Sequence, residues 1–586
     1  MKSSYLKKTI AFIAVVCLFI TLLSGCGDGN KDTEKDLGGQ DDSSIVDQNG
    51  SSTDEDDSIE SSDGDKDPLG KYDSPIDISF IRDIDDDLAS NVLPKTPGET
   101  IEDNRWLTLY EEELGINVTY DWTAKGGDVF TQKLNVTLAS GDLPDVITVD
   151  ASQLKQLVDS DMIEDMTQYY DEYASDLMKE VYTKDGTSTL NSATFDGKLM
   201  AIPSQEDNAE SAQYLWIRTD WLEKLNLEPP KTMDDLIKIS EAFTTQDPDG
   251  NGKDDTYGLA ITKDLYSGAM GLEGFFAGYH AYPNMWIEDS SGQLVYGSTL
   301  PEVKVALEKL AEMYKAEQID KEFAVKDGGK VAETIAAGKI GINFGEQWNP
   351  MYPLINNYNN DNNADWVGYP IVSADDQSVK VPLGFRVSRY YAVRKGYEHP
   401  EALVKMINMY TDINCGERSE TDYNKYFMPP ENDNVGVWKF SPVTINPPLT
   451  NLTSFLSIEK ARESNDMSEL SPAARPIVDN IEAYKNGDKS QWGWDKIYGE
   501  NGAFRVMKEY QDNNALLHEK FVGAPTETMV EKQATLEKME KEVFVKIIMG
   551  AAPISEFDKF VEDWNALGGA DITKEANDWY SSVNSN

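Results

Sequence analysis

From residue 76 onward the chain alternates short β-rich runs with helical stretches, and that alternation narrows its architecture more than any composition does. Ile76-Asp77-Ile78-Ser79-Phe80-Ile81 places apolar side chains on every second position, the period of a half-buried strand. A helical stretch near 105–113 follows, then a second β-rich run, Ile116-Asn117-Val118-Thr119-Tyr120. Ser140-Gly141-Asp142-Leu143-Pro144-Asp145 is a turn that feeds Val146-Ile147-Thr148-Val149. Further helices are predicted near 152–158 and 232–243, the latter with Thr232 as N-cap. Leu536, Met539, Val543 and Ile547 recur at helical spacing before Gly550, so this stretch reads as an amphipathic helix ended by glycine. Strands that alternate with helices predict an α/β architecture with sheets covered on both faces. At 586 residues the chain exceeds what one hydrophobic core usually serves, so two lobes with room for a cleft are expected.

The first 25 residues follow different rules. Lys2, Lys7 and Lys8 precede an apolar run from about Ile10 to Leu23, and Ser24 and Gly25 stand before Cys26. A run of roughly 14 apolar residues falls short of the ~20 that span a bilayer, so this is a cleavable secretory signal. Leu23-Ser24-Gly25-Cys26 resembles the bacterial lipobox, which implies a diacylglycerol on the Cys26 thiol and Cys26 as the new N-terminus; the plainer alternative is an ordinary signal with an incidental cysteine. Two acyl chains are what stable anchoring takes. Cys17 leaves with the signal and Cys26 is modified, so Cys415 is left without a partner for an intramolecular disulfide. Residues 26–72 are rich in Asp, Ser, Gly and Glu, as in Asp54-Glu55-Asp56-Asp57, and are expected to be a disordered tether. The formal net charge is −51, and loss of a leader with three lysines and no acid makes it three units more negative. Nucleic acid is therefore excluded as a ligand, and a soluble monomer is expected.

One segment has metal-ligand spacing. Asp247, Asp249, Asn251 and Asp255 put side-chain oxygens at loop positions 1, 3, 5 and 9, with Gly252 at 6 and the carbonyl of Lys253 at 7. Those offsets wrap a chain around Ca²⁺, although the bidentate Glu of position 12 is replaced by Gly258. A structural ion is the expectation, and a solvated Asp-Gly turn closing a helix is the alternative. Aromatic and polar candidates for a binding cleft are Trp122 and Asp150, each ending an early strand where open α/β sheets bind ligands. Trp494 joins them, since Trp492 and Trp494 flank Gly493 in what reads as a polar loop. Trp221 and Trp564, on amphipathic helices, read as core. Catalytic signatures are missing: no H-E-x-x-H, no G-x-S-x-G, no C-x-x-C and only three histidines. A non-enzymatic role follows, with a glycoside hydrolase as the rival that 104 acids leave open.

Several segments in order are similar to the extracellular solute-binding proteins of ABC importers, in particular the oligosaccharide-capturing lipoproteins. They are 138–145, Asp196-Gly197-Lys198 ahead of Ala201-Ile202-Pro203, Ile217-Arg218-Thr219-Asp220-Trp221-Leu222, Ala337-Gly338-Lys339 before the run 340–344, Gly523-Ala524-Pro525-Thr526, and the C-terminal stretches 546–550 and 557–564. The resemblance implies a two-lobe periplasmic-binding-protein-like fold (type II) with three chain crossings and a ligand held between the lobes. Crossings are then expected near 202–204, 383–386 and 521–524, giving lobe one as 73–202 plus 385–520 and lobe two as 203–384 plus 521–586. It implies cleft positions for Trp348, for Phe385 and Arg386 at the second crossing, and for Glu206 after the first. It also implies an alginate-binding-protein-like calcium loop, with Thr256 where an acidic residue would stand. An oligosaccharide ligand, an ABC permease partner, and a lipid-anchored place on the outer face of the cytoplasmic membrane of a Gram-positive cell complete the expectation, with a solute-sensing surface lipoprotein as the alternative role.

Overall fold

The computed structural model describes residues 66–184, 189–416, 418–432 and 434–584. The signal segment, Cys26 and most of the expected tether lie outside the described residues. Nine strands carry the architecture: β1 (Ile76–Ile84), β2 (Ile116–Lys125), β3 (Val146–Val149), β4 (Ile202–Gln205), β5 (Tyr214–Arg218), β6 (Tyr257–Leu259), β7 (Ile340–Gly345), β8 (Trp366–Tyr369) and β9 (Val387–Val393). One sheet has the order β2-β1-β3-β9-β4 and the other β8-β5-β7-β6. Within the first, β1 runs parallel to β2 and β3, whereas β9 is antiparallel to β3 and β4. In the second, β5 is antiparallel to β7 and β8, and β6 is parallel to β7. Both sheets are thus mixed, with helices packed on them, in the two-lobe α/β architecture expected.

Each sheet has its own core. The first core gathers residues between Ile78 and Ile202 and between Tyr390 and Ile445. The second gathers residues between Ala209 and Leu383 and between Leu452 and Ala576. The chain therefore crosses between lobes three times, at about 206–208, 384–386 and 446–449. The last of these lies far from the crossing expected near 521–524. Residues 446–520, expected with lobe one, pack in lobe two through Phe455, Trp492 and Phe504. The segment 521–524 is no crossing, because Phe521 lies edge-on to Trp579 at 4.9 Å and near Trp286 at 6.3 Å, all within lobe two.

Local chemistry explains why these residues adopt these elements. Thr232 caps the helix Met233–Thr245 by accepting from the Asp235 amide at 3.2 Å. The helix Glu527–Ile548 buries Leu536 and Ile547, and Gly550 follows it at φ +68°, the left-handed conformation that glycine adopts without strain. Trp221 and Trp564 are buried as expected. No helix among the described residues is long and apolar enough to cross a membrane. Residues 68–72, expected within the tether, are packed on lobe one. Asn408 and Lys405 donate to the carbonyls of Pro68 and Gly70 at 3.0 and 2.9 Å, the Tyr72 hydroxyl donates to Glu401 at 2.7 Å, and Leu69 packs on the first core.

Glu540 is a buried acid in the second lobe, accepting from the hydroxyls of Tyr266 at 3.0 Å and Tyr296 at 3.1 Å. Burial pushes its carboxyl up to about 7 despite those donors. Between the ordinary glutamate range and that value the folded chain binds the extra proton, so stability falls as pH rises through this window. Replacement by glutamine, Glu540→Gln, is expected to flatten the decline in melting temperature between pH ~4.5 and ~7. An unchanged slope would show that Glu540 titrates normally.

Candidate functional site

The three crossings lie side by side and are sewn together by side chains. Asn446 donates its amide to the Gln205 carbonyl at 2.9 Å and its Nδ2 to Glu206 at 2.6 Å. The Thr450 amide donates to Asp207 at 3.1 Å. Arg386 donates its amide to Asn208 at 2.8 Å, and the Gly384 amide donates to Ser211 Oγ at 2.9 Å. Glu206 closes the set by donating its amide to the Arg386 carbonyl at 3.1 Å.

Beside this seam stands a polar cluster set on lobe two. Strand β7, buried along its length, ends in a turn that turns Glu346 and Trp348 back toward the seam. Glu346 accepts from Trp348 Nε1 at 2.7 Å on one oxygen and from Arg386 Nη2 at 2.6 Å on the other. Gly268 makes that packing possible, since a Cβ there would lie 2.8 Å from the Glu346 carboxyl carbon and 2.9 Å from the Trp348 ring. Asn349 pins the turn by donating to the Gly268 carbonyl at 2.8 Å while accepting from Asn343 at 2.8 Å. Glu210, close enough to Arg386 to feel its charge, accepts from Asn451; Asn451 in turn accepts from the Tyr498 hydroxyl at 2.7 Å. Tyr498 stacks on Trp494, ring centroids 5.9 Å apart.

Two cavities open at the crossings. One, of about 290 Å³, is lined by Phe385, Arg386, Glu346, Gln213, Glu273 and Glu519 among others. The other, about 370 Å³, is lined by Glu206, Asp207, Glu210, Tyr423, Trp438 and Asn446 among others. Burial pushes the carboxyls of Glu273 and Glu519 up to about 8; burial, with Asp207 close by, pushes that of Glu210 up to about 7. A larger cavity of about 830 Å³ lies among the helices Thr450–Ser464, Ala474–Lys485 and Trp492–Tyr498, and none of the expected ligand residues lines it.

Trp348, Arg386, Phe385, Glu206 and Trp494 thus gather at or next to the crossings. Trp494 is not in a polar loop but in the helix Trp492–Tyr498, where Gly493 lets the helix close on Met351; a Cβ would sit 2.6 Å from its sulfur. Trp492 is core, stacked on Tyr358 at 4.8 Å. Trp122 and Asp150 line neither cavity. Trp122 donates to Thr137 at 3.1 Å under Lys133, 4.6 Å from its ring. Asp150 forms a capping box with Gln153 at the helix Ala151–Asp159. Glu346, Glu210, Asn451 and Tyr498 were not among the expected residues; Glu346 alone had a signal, its place in the turn before Trp348.

The Asp247–Asp255 loop lies in lobe two, directly after the helix Met233–Thr245. Asp247 Oδ1 is buried without a hydrogen-bond partner, and its Oδ2 accepts from the Gly252 amide at 3.1 Å. Asn251 bridges Asp249 and Asp255, donating at 2.6 and 3.0 Å. Lys339 pairs with Asp255 at 3.0 Å, and Thr256 turns away to donate to the Phe243 carbonyl at 2.8 Å. Among the described residues no three His, Cys, Asp or Glu side chains converge as a metal-holding group.

Comparison with known proteins gives a consistent picture. A family model described as bacterial extracellular solute-binding protein matches residues 97–412. A relative from Bacillus subtilis (strain 168), named polygalacturonan/rhamnogalacturonan-binding protein YtcQ, is 25% identical over 479 residues, 80% of this chain and 86% of the relative. The crystal structure of an extracellular solute-binding protein from Bifidobacterium longum subsp. infantis superposes with a TM-score of 0.57 at 16% identity, covering 87% of this chain and 98% of that one. The Streptococcus pneumoniae substrate-binding protein FusA, as an EF-hand mutant in complex with fructo-nystose, has a TM-score of 0.55 at 17% identity, covering 87% and 100%.

Proposed function

The chain belongs to the bacterial extracellular solute-binding protein family, and from that premise we propose that it captures an oligosaccharide between its lobes and delivers it, chemically unchanged, to an ABC permease. The observation that carries the reading is the arrangement at the crossings: Trp348 beside the Glu346–Arg386 pair, with Trp494 stacked on Tyr498 nearby. Sugar rings offer flat apolar faces ringed by hydroxyls, which is what aromatic platforms flanked by carboxylate, amide and guanidinium groups accommodate. Closure of one lobe on the other adds contacts, and the ligand favours the closed state by its differential affinity for it. Titrating intrinsic tryptophan fluorescence with an oligosaccharide panel, with chromatography of the sugar afterwards, tests the reading. A saturable change with intact sugar is expected; cleaved sugar, or silence across the panel, would sink it.

The relatives' extracellular class fits a diacylated Cys26 holding the domain at the outer face of the cytoplasmic membrane, as a monomer. The Asp247–Asp255 loop fits Ca²⁺ through the side chains of Asp247, Asp249, Asn251 and Asp255 and the carbonyl of Lys253, and the buried, unpartnered Asp247 oxygen is the feature that favours it. When bound, the ion supplies a compact positive charge that offsets the loop's acids; the residues themselves set the turn. Calcium at about 100 times its dissociation constant is expected to stabilise the protein by about 2.7 kcal/mol over a chelated sample, and Asp247→Ala to abolish the gain. Equal melting temperatures with and without chelator would remove the ion.

A further inference from the structure

The charged groups lining the two crossing cavities are unequal in number. Six acidic side chains, Glu206, Asp207, Glu210, Glu273, Glu346 and Glu519, face one guanidinium, Arg386, among the described residues. That guanidinium is engaged by Glu346 at 2.6 Å. Two cations of lobe one are committed as well: Arg389, close enough to Glu206 to feel its charge, pairs with Asp83 at 3.4 Å, and Lys439 pairs with Asp87 at 3.0 Å and Asp85 at 3.4 Å. An arriving sugar carboxylate would find the charge of Arg386 already offset by Glu346 and would have to share it.

We propose that the crossing site takes uncharged, hydroxyl-rich oligosaccharides and rejects uronate-bearing ones. This rests on the oligosaccharide reading above and adds the charge class of the ligand. Hydroxyls suit the lining because each both donates and accepts, so a neutral sugar can donate to the carboxylates while accepting from Arg386, Asn446 and Gln213. The raised carboxyls of Glu210, Glu273 and Glu519 retain protons near neutrality and can donate to the same hydroxyls. A carboxylate ligand can only accept, and it would be desolvated beside Glu206, Asp207 and Glu346, an unfavourable juxtaposition of like charge. The chain's formal charge of −51 adds repulsion at longer range, felt over roughly a Debye length.

The test is calorimetric titration of the purified protein with two length-matched series, one neutral (gluco-, xylo-, manno-, galacto- and fructo-oligosaccharides) and one of uronates (oligogalacturonate and oligomannuronate), at low and high salt. Expected is saturable binding by at least one neutral series, little changed by salt, with uronates of equal length weaker by roughly a hundredfold or more and partly relieved by salt. A uronate binding as tightly as the best neutral sugar would overturn the charge-class inference and leave the oligosaccharide reading standing. An amine-bearing oligomer that outcompetes every neutral sugar would likewise overturn it. Binding by none of them would overturn the oligosaccharide reading itself, and this inference with it.

Discussion

Trp348→Ala is expected to weaken oligosaccharide binding well over tenfold while leaving the melting temperature within a few degrees of wild type. The ring is only partly buried, packing at the edge of the second core, so its loss opens no large cavity. What it removes is a flat apolar face: covering a side chain of that kind contributes about 1.5–3 kcal/mol, which is roughly a ten- to hundredfold change in affinity. The indole N–H also holds one oxygen of Glu346 at 2.7 Å, so truncation frees that carboxylate to turn on Arg386. Trp348→Phe keeps a face and loses the donor, and an intermediate affinity is expected for it. Unchanged affinity in the alanine variant would take Trp348 out of the site. Lost affinity together with a collapsed melting transition would make its role structural.

Trp106→Ala is expected to cost about 3–5 kcal/mol of stability, the range for removing a large aromatic from a packed interior. Trp106 has no exposure, donates its indole N–H to the Tyr426 carbonyl at 2.9 Å, and stacks on Tyr410 at 5.2 Å, with Phe427 edge-on at 5.9 Å. It thereby joins the helix Arg105–Leu109 to the helices Glu401–Cys415 and Glu420–Tyr426, which reach lobe one only after the chain has passed through lobe two. Because the lobes have separate cores, the loss is expected in one phase of a denaturant titration, lobe one melting ahead of lobe two, and a single free energy will not describe the curve. A change below about 1 kcal/mol would mean the site collapses around the gap.

The strands and helices were legible wherever periodicity and capping act locally: β1, β2 and β3, the Thr232 cap and the glycine stop at Gly550 all lie where their residues put them. Trp348 lies in the turn after the buried strand β7, where the sequence put it, and donates to Glu346 there. What stayed hidden depends on residues far apart in sequence. Glu210 meets Asn451, and Asn451 meets Tyr498, through contacts spanning 241 and 47 positions, and no local pattern announces either. The third crossing was misplaced for a related reason. The strand Leu516–His518 pairs with Val381–Leu383 just before the second crossing, so the chain passes beside the seam there without leaving lobe two. Trp494 read as a loop residue because Gly493 argues against a helix by propensity, whereas close approach to Met351 is what requires glycine.

Residues 68–72 are fastened to lobe one, while Trp348, Glu346 and Trp494 ride on lobe two. The N-terminal end of the described chain is therefore fixed to the half of the molecule that does not carry Trp348 and Trp494. A force applied at residues 68–72 is borne by Asn408, Lys405 and Glu401 and, among the described residues, reaches the other half through the stitched seam at 206–211, 384–386 and 446–451. The half that bears Trp348 is joined to the other at that seam, so the seam's hydrogen bonds set how far it can swing.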